Sequence, residues 1–172
     1  MLYIGFDNGV TSQGIGVVSG ELNKKASLYK LPVKRELSYT KEAKHITRLD
    51  YEGLCFTFGR ILEDYDIKDT SFVLVGLERP MINSTRFNAS LSAIRALEAT
   101  LIAIEKFSFP FEYVDSKEWQ KVLLPKNIKG SDALKDASRD IGKRMFPSLD
   151  IKKDADGLLI AEYLRRKKSK TT

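Results

Sequence analysis

Four acids stand where acids are costly. Asp7 closes the apolar run Leu2-Tyr3-Ile4-Gly5-Phe6, Glu78 closes "SFVLVGL" (71–77), and Asp154 and Asp156 precede the apolar run "GLLIA". An acid at a strand end can cap a turn through its own side chain. Asp7-Asn8-Gly9 is also good hairpin chemistry, so Asp7 alone reads as readily as a turn residue. Taken together, the acids allow more. Carboxylates held within a few Å of one another in a low-dielectric pocket repel strongly, and hard divalent cations are what neutralise them. Two such ions about 3.5 to 4 Å apart can activate a water and stabilise the leaving oxygen of a phosphodiester, with no histidine required. Asp7, Glu78, Asp154 and Asp156 are therefore candidate metal ligands and catalytic groups.

The elements that must position them follow from periodicity and punctuation. Residues 2–6 and 14–18 read as strands joined by a glycine-bearing turn, and 26–33 as a third, which Pro32 ends or confines to an edge. Residues 34–45 are polar and mixed, a loop or ill-defined strand. Ile46, Leu49, Leu54, Phe58, Ile61, Leu62 and Tyr65 recur at helical spacing, which predicts an amphipathic helix over 45–65, weakened by Gly53 and Gly59. A strand over 71–77, a loop over 80–88, a helix over 89–107 and a strand over 111–114 follow. Asp115-Ser116 could cap a helix to Leu123, Ser131 one to about Met145, and the last should run from Asp154 to Arg166. Three strands, then helices alternating with strands, describe an α/β domain with a mixed sheet. Asp7 and Glu78 would meet beyond the strand ends if their strands are neighbours and the last helix packs on them.

Composition narrows the chemistry. A chain of 172 residues is one ordinary domain. No apolar run approaches the ~18 to 20 residues of a membrane span, and Met1 leads directly into a strand, so a soluble, intracellular protein is expected. The single cysteine, Cys55, allows no internal disulfide. With His45 the only histidine, a histidine-based zinc site or a Ser-His-Asp arrangement has little to build on. Residues 116–172 hold 15 Lys/Arg against 8 Asp/Glu, a net of +7, whereas residues 1–115 hold 14 against 15, a net of −1. A basic third on a balanced domain is the electrostatic footprint of a nucleic-acid binder, although solvated lysine-rich faces are common.

In order and spacing, "YIGFDNGVTSQGIGVV", "VLVGLERP" and "KKDADGLLIAEYL" resemble the RuvC-type Holliday junction resolvases of the RNase H-like superfamily, and "VDSKEWQKVLLP" is similar to phage-encoded members. The resemblance covers about residues 1–165. It implies an RNase H-like α/β fold, a mixed five-stranded sheet flanked by helices, over residues 1–166; the basic end of the chain, 167–172, reads from its composition as a disordered tail. The resemblance further implies a homodimer that makes paired nicks in four-way DNA junctions with Mg²⁺ or Mn²⁺, two ions per site and no nucleotide cofactor. For a phage-encoded member the compartment would be the cytoplasm of a bacterial host. Asp7, Glu78 and Asp156 take the places of the family's acids. The departure is at the last helix, where the family has two acids three apart. Lys153 stands three before Asp156, and Asp154 only two before, so Asp154 can join the site only from a non-helical position.

Further residues are candidates for holding DNA. Arg79, Asn83, Ser84 and Arg86, with Asn88, crowd the loop after Glu78 and suit phosphate contact, as do Lys117, Lys121, Lys126 and Lys129 beyond it. Small residues Ala89, Ala93, Ala96 and Ala103 permit a close helix approach, either in a core or between two subunits. Trp119 reads as a packing residue rather than a base-stacking one. Two rival readings are a non-catalytic junction binder on the same fold, which retention of the acids argues against, and an actin- or kinase-like ATPase, whose two lobes need a longer chain.

Overall fold

The structure, a computed structural model, describes residues 1–10, 14–20, 25–39, 41 and 44–170. In chain order the elements are β1 (Leu2–Phe6), β2 (Gly14–Ser19), β3 (Ala26–Lys30), β4 (Val33–Leu37), β5 (His45–Leu49), α1 (Tyr51–Asp64), β6 (Val73–Glu78), α2 (Phe87–Phe107), β7 (Phe111–Val114), α3 (Ser116–Leu123), α4 (Ser131–Met145) and α5 (Asp156–Ser169). Short 3₁₀ turns at Thr70–Phe72 and Ser84–Arg86 precede β6 and α2. Five strands form one mixed sheet in the order β3-β2-β1-β6-β7. The neighbours joined by short connections, β1–β2 and β2–β3, are antiparallel; β1–β6 and β6–β7, joined through helices, are parallel.

Every residue of β1 and β2 is buried, because both faces of the sheet are covered. Alternation then sorts side chains into two layers. Leu2, Ile4 and Phe6 join Ile15, Val17, Val73, Val75 and Leu77 against Phe58 and Ile61 of α1 and Ala103 and Ile104 of α2. On the other face Tyr3, Val18 and Val114 meet Trp119 of α3 and Leu158 to Ala161 of α5.

On that second face α5 touches the sheet backbone to backbone. A methyl group added at Gly5 would lie 2.0 Å from the Gly157 carbonyl oxygen and 2.5 Å from the Ala161 nitrogen, and one added at Gly16 would lie 2.2 Å from the Leu158 nitrogen. Gly5 and Gly16 are register partners on β1 and β2, so the first turn of α5 sits directly over that pair. No rotamer change relieves a clash between main chains. Gly5→Ala should therefore cost about 3 kcal/mol or more, at the upper end of overpacking penalties, read as a fall in the thermal midpoint. A midpoint within a degree of wild type would show that α5 can lift without cost.

Several expected boundaries move. Residues 45–49 are strand, not helix: β5 pairs antiparallel with β4, whose residues lie in the stretch expected to be ill-defined. Ile46 and Leu49 fit a helical spacing and a strand equally well, and the cross-strand partners decide between them. Arg48 Nε reaches Glu36 Oε2 at 2.6 Å, and this pairing holds the Glu36 carboxyl below its usual range. The helix begins only at Tyr51, where Leu54 N donates to the Asp50 carbonyl. β3 ends at Lys30, two residues before Pro32, and is the sheet edge. Gly130, at φ 94°, and not Ser131, occupies the capping position of α4. The last helix starts at Asp156 instead of Asp154 and runs to Ser169, into the stretch expected as a disordered tail. There Lys167 and Lys168 reach the Glu112 carboxylate at 2.8 and 3.1 Å. Thr171 and Thr172 lie outside the described residues, as do Thr11 to Gln13 of the first turn.

One helical stretch, Ser84–Phe107, is long and apolar enough to cross a membrane by length and composition, contrary to the sequence expectation. It is a packing helix of this domain. Ala96, Thr100, Ala103 and Ile104 are buried, and Ala103 and Ile104 lie in the core described above.

Candidate active site

Phe6 is the register partner of Leu77, so the next residues along the two parallel strands, Asp7 and Glu78, emerge side by side at the same edge of the sheet. The glycine contact brings the first turn of α5, and with it Asp156, to that edge. Asp7, Asn8, Gly9, Glu78, Arg79, Pro80, Met81, Ala93, Ser116, Gln120 and Asp156 enclose a cavity of about 320 Å³. Asp154 does not line it. That residue is buried at 6 % exposure and precedes the helix, with Ala155 at the capping position, so it is non-helical as the spacing demanded; its charge acts on both Asp7 and Asp156.

Each lining carboxyl is held by the fold. The Asp7 carboxylate accepts from Gly9 N at 3.1 Å, the local turn its neighbours suggested. Glu78 accepts from the indole Nε1 of Trp119 at 2.9 Å, and its own carboxyl donates to Asp7. Asp156 accepts from the Ser138 hydroxyl of α4, whose oxygen accepts in turn from Ala155 N at 3.0 Å. Burial pushes all three carboxyls up. Asp7 rises to about 6, reinforced by the charge of Asp154, and Glu78 to about 8, reinforced by Asp7. Asp156 rises to about 7, where the Ser138 hydroxyl offsets part of the effect of burial and the charges of Asp7 and Asp154 add to it. Lys135 of α4 is near enough for its charge to lower Asp7 and Asp156.

Among the described residues, no three His, Cys, Asp or Glu side chains already stand as a chelating set for one ion. Burial instead favours the protonated forms of Asp7, Glu78 and Asp156. Their chemistry nevertheless fits a hard divalent cation: the charged forms of three carboxyls lining one cavity are disfavoured by burial, which Lys135 offsets only in part, and Asn8 Oδ1, buried, has no hydrogen-bond partner.

Trp119, Ser138, Asn8 and Lys135 stand at or beside the candidate site, a placement that sequence reasoning missed. Trp119 does pack, at 1 % exposure, but its ring nitrogen also orients an acid. Nothing in the local sequence of Ser138 marks it, since it reaches the site only through the packing of α4 on α5.

The expected DNA contacts divide. Arg79 lines the acid cavity, lies over the Tyr113 ring at 4.9 Å and pairs with Asp115 at 3.2 Å. Lys117, Lys121 and Lys126 line a separate groove between α3 and α4, and Gln120 borders both this groove and the acid cavity. Lys129 is outside that lining. Asn83 and Arg86 border a further pocket with Met81 and Ser90, Ser84 is exposed beside them, and Asn83 Oδ1 accepts from Thr85 N at 2.9 Å as the cap of the 3₁₀ turn.

No protein-family model matches the sequence, and comparison with curated proteins finds no relative. Among solved structures, Thermus thermophilus RuvC superposes with a TM-score of 0.60 at 16 % identity, covering 99 % of this chain and 98 % of that one. T. thermophilus RuvC in complex with a Holliday junction substrate superposes with a TM-score of 0.58 at 17 % identity, again over 99 % and 98 % of the two chains. The fold is that of RuvC. The RuvC-like architecture, an RNase H-like mixed sheet flanked by helices, accounts for the strand order and for the gathering of Asp7, Glu78 and Asp156 at one sheet edge.

Proposed function

We propose that this chain is a metal-dependent, structure-selective endonuclease that resolves four-way and other branched DNA junctions by paired phosphodiester hydrolysis. The observation that carries the reading is the convergence of Asp7, Glu78 and Asp156 on one cavity in a RuvC-like fold, with a lysine-lined groove next to it. Asp7, Glu78 and Asp156, with Asp154 behind them, would hold Mg²⁺ or Mn²⁺, two ions in this reading. A bound divalent cation supplies charge neutralisation and a water acidic enough to attack phosphorus at neutral pH. Trp119 and Ser138 keep Glu78 and Asp156 aimed into the cavity, and Arg79 stands where a phosphate would pass.

The apolar outer face of α2 supports a homodimer. Phe87, Ile94 and Ile102 are exposed and fall within about 80° of one another around the helix, opposite its buried residues Ala96 and Ala103.

The test is incubation of labelled four-way junction and linear duplex with the protein, with and without Mg²⁺. Junction-specific paired nicks that require the metal support the reading; junction binding without cutting would make the chain a binder, and ATP hydrolysis without DNA would make it an ATPase. Affinity should come largely from phosphate neutralisation. Neutralising Lys117, Lys121 and Lys126 together should then weaken junction and duplex alike and reduce the salt slope by about one per lost phosphate contact, in fluorescence-anisotropy titrations at several salt concentrations. An undiminished slope would place the DNA path elsewhere.

A further inference from the structure

Among the described residues two buried side-chain polar atoms lack a hydrogen-bond partner, Arg95 Nε and Asn8 Oδ1, and of the two residues only Asn8 stands at the acid cavity. It follows Asp7 at the end of β1, is only 4 % exposed and borders the acid cavity. Its Nδ2 donates to the main-chain oxygen of Glu78, tying the ends of β1 and β6 together. That bond fixes the amide: turning it over would set its oxygen against a carbonyl oxygen. The Oδ1 is therefore committed to the other side, and there it has no hydrogen-bond partner. Native structures rarely leave a buried amide oxygen unpaired, and each such atom calls for a donor or an ion that completes it. An alkyl side chain would fill the space without that cost, though it would forgo the strand tie.

We infer that Asn8 is a positioning residue of the metal site, its Oδ1 lying in the hydration sphere of the bound divalent cation and accepting a hydrogen bond from a cation-bound water. This rests on the metal-dependent reading above. The amide suits that role better than a further acid, since it adds an oxygen to a cavity already lined by three carboxyls without adding charge. The tie to Glu78 also locks the side chain, so the oxygen is held in place before the ion arrives.

The experiment measures Mn²⁺ binding to the full chain without DNA, by calorimetry and by loss of the free-ion EPR signal, for wild type, Asn8→Leu and Asn8→Asp. Thermal unfolding in EDTA checks that each variant folds. Asn8→Leu should weaken Mn²⁺ binding about tenfold or more, the usual effect of losing an outer-shell partner. Asn8→Asp keeps the oxygen and loses the tie, since a carboxylate cannot donate to the Glu78 carbonyl, and it should bind Mn²⁺ at least as tightly as wild type. If Asn8→Leu binds as wild type does, or Asn8→Asp is as weak as Asn8→Leu, the oxygen plays no part in the metal site and the inference is overturned. Should Asn8→Leu fail to fold, Asn8→Asp decides alone, weaker binding than wild type counting against it. Failure of wild type itself to bind Mn²⁺ would overturn the metal-dependent reading first, and this inference with it.

Discussion

Asp7→Asn should fold, bind four-way junction with near-wild-type affinity and lose at least ~10²-fold in single-turnover cleavage, because a neutral amide is a poor ligand for a hard cation. The position is decisive because Asp7 is the group on which the others converge: it accepts from Glu78, and its charge raises both Glu78 and Asp156. Removing that charge should also make the metal-free protein more stable at pH 8, the opposite of what the loss of a structural residue does. Activity and stability moving in opposite directions is the signature to look for. Near-wild-type nicking in Mg²⁺ would remove Asp7 from the mechanism.

The second large effect is on the pH dependence of stability without metal. Asp7, Glu78 and Asp156 bind their protons more tightly in the folded chain, with values near 6, 8 and 7, than unfolded carboxyls do near 4. Between about pH 4 and pH 8 the folded state therefore holds more protons than the unfolded one, and its stability falls as pH rises through that window. A tenfold difference in proton affinity between the two states is worth about 1.4 kcal/mol, so a loss of ~3 kcal/mol is a conservative expectation, roughly 10 °C in the thermal midpoint for a chain of this size. Mg²⁺ at pH 8 should restore much of it, since a cation replaces the protons as the neutralising partner. Calorimetric scans in EDTA and in Mg²⁺ at pH 5, 6.5 and 8 read this directly. A midpoint in EDTA that rises from pH 5 to pH 8 contradicts the clustering of the three acids.

The parts of this site that lie in one strand or one turn are visible in the sequence. An acid ending an apolar run is a local event, and two parallel strands paired in register carry Asp7 and Glu78 to the same level without further instruction. The strand over 111–114 is bounded as expected because Pro110 and Asp115 punctuate it. What stays hidden depends on partners distant in the chain. β5 is a strand because β4 is there to pair with, and its own spacing of Ile46 and Leu49 is silent on the matter. Ser138 and Trp119 enter the site through the docking of α4 and α3, contacts that no window of sequence contains. The helical tail past Arg166 depends on Glu112, more than 50 residues earlier. Asn8 reads as turn chemistry in the sequence, and only its burial beside an unpaired oxygen sets it apart.

The seating of α5 on Gly5 and Gly16 bears on how such a chain tolerates sequence change. Where helix and sheet meet through side chains, every exchange of one apolar residue for another shifts the helix by a fraction of an ångström, and a group on its first turn shifts with it. Here the spacing beneath Asp156 is set by main-chain atoms in contact, which are the same whatever the neighbouring side chains are. Both hydrophobic layers can then drift through substitutions of similar volume while the acids keep their separation, so long as the glycines remain. A shared fold at 16–17 % identity with the two RuvC structures, over 99 % of this chain, is a sequence distance that such a seat permits.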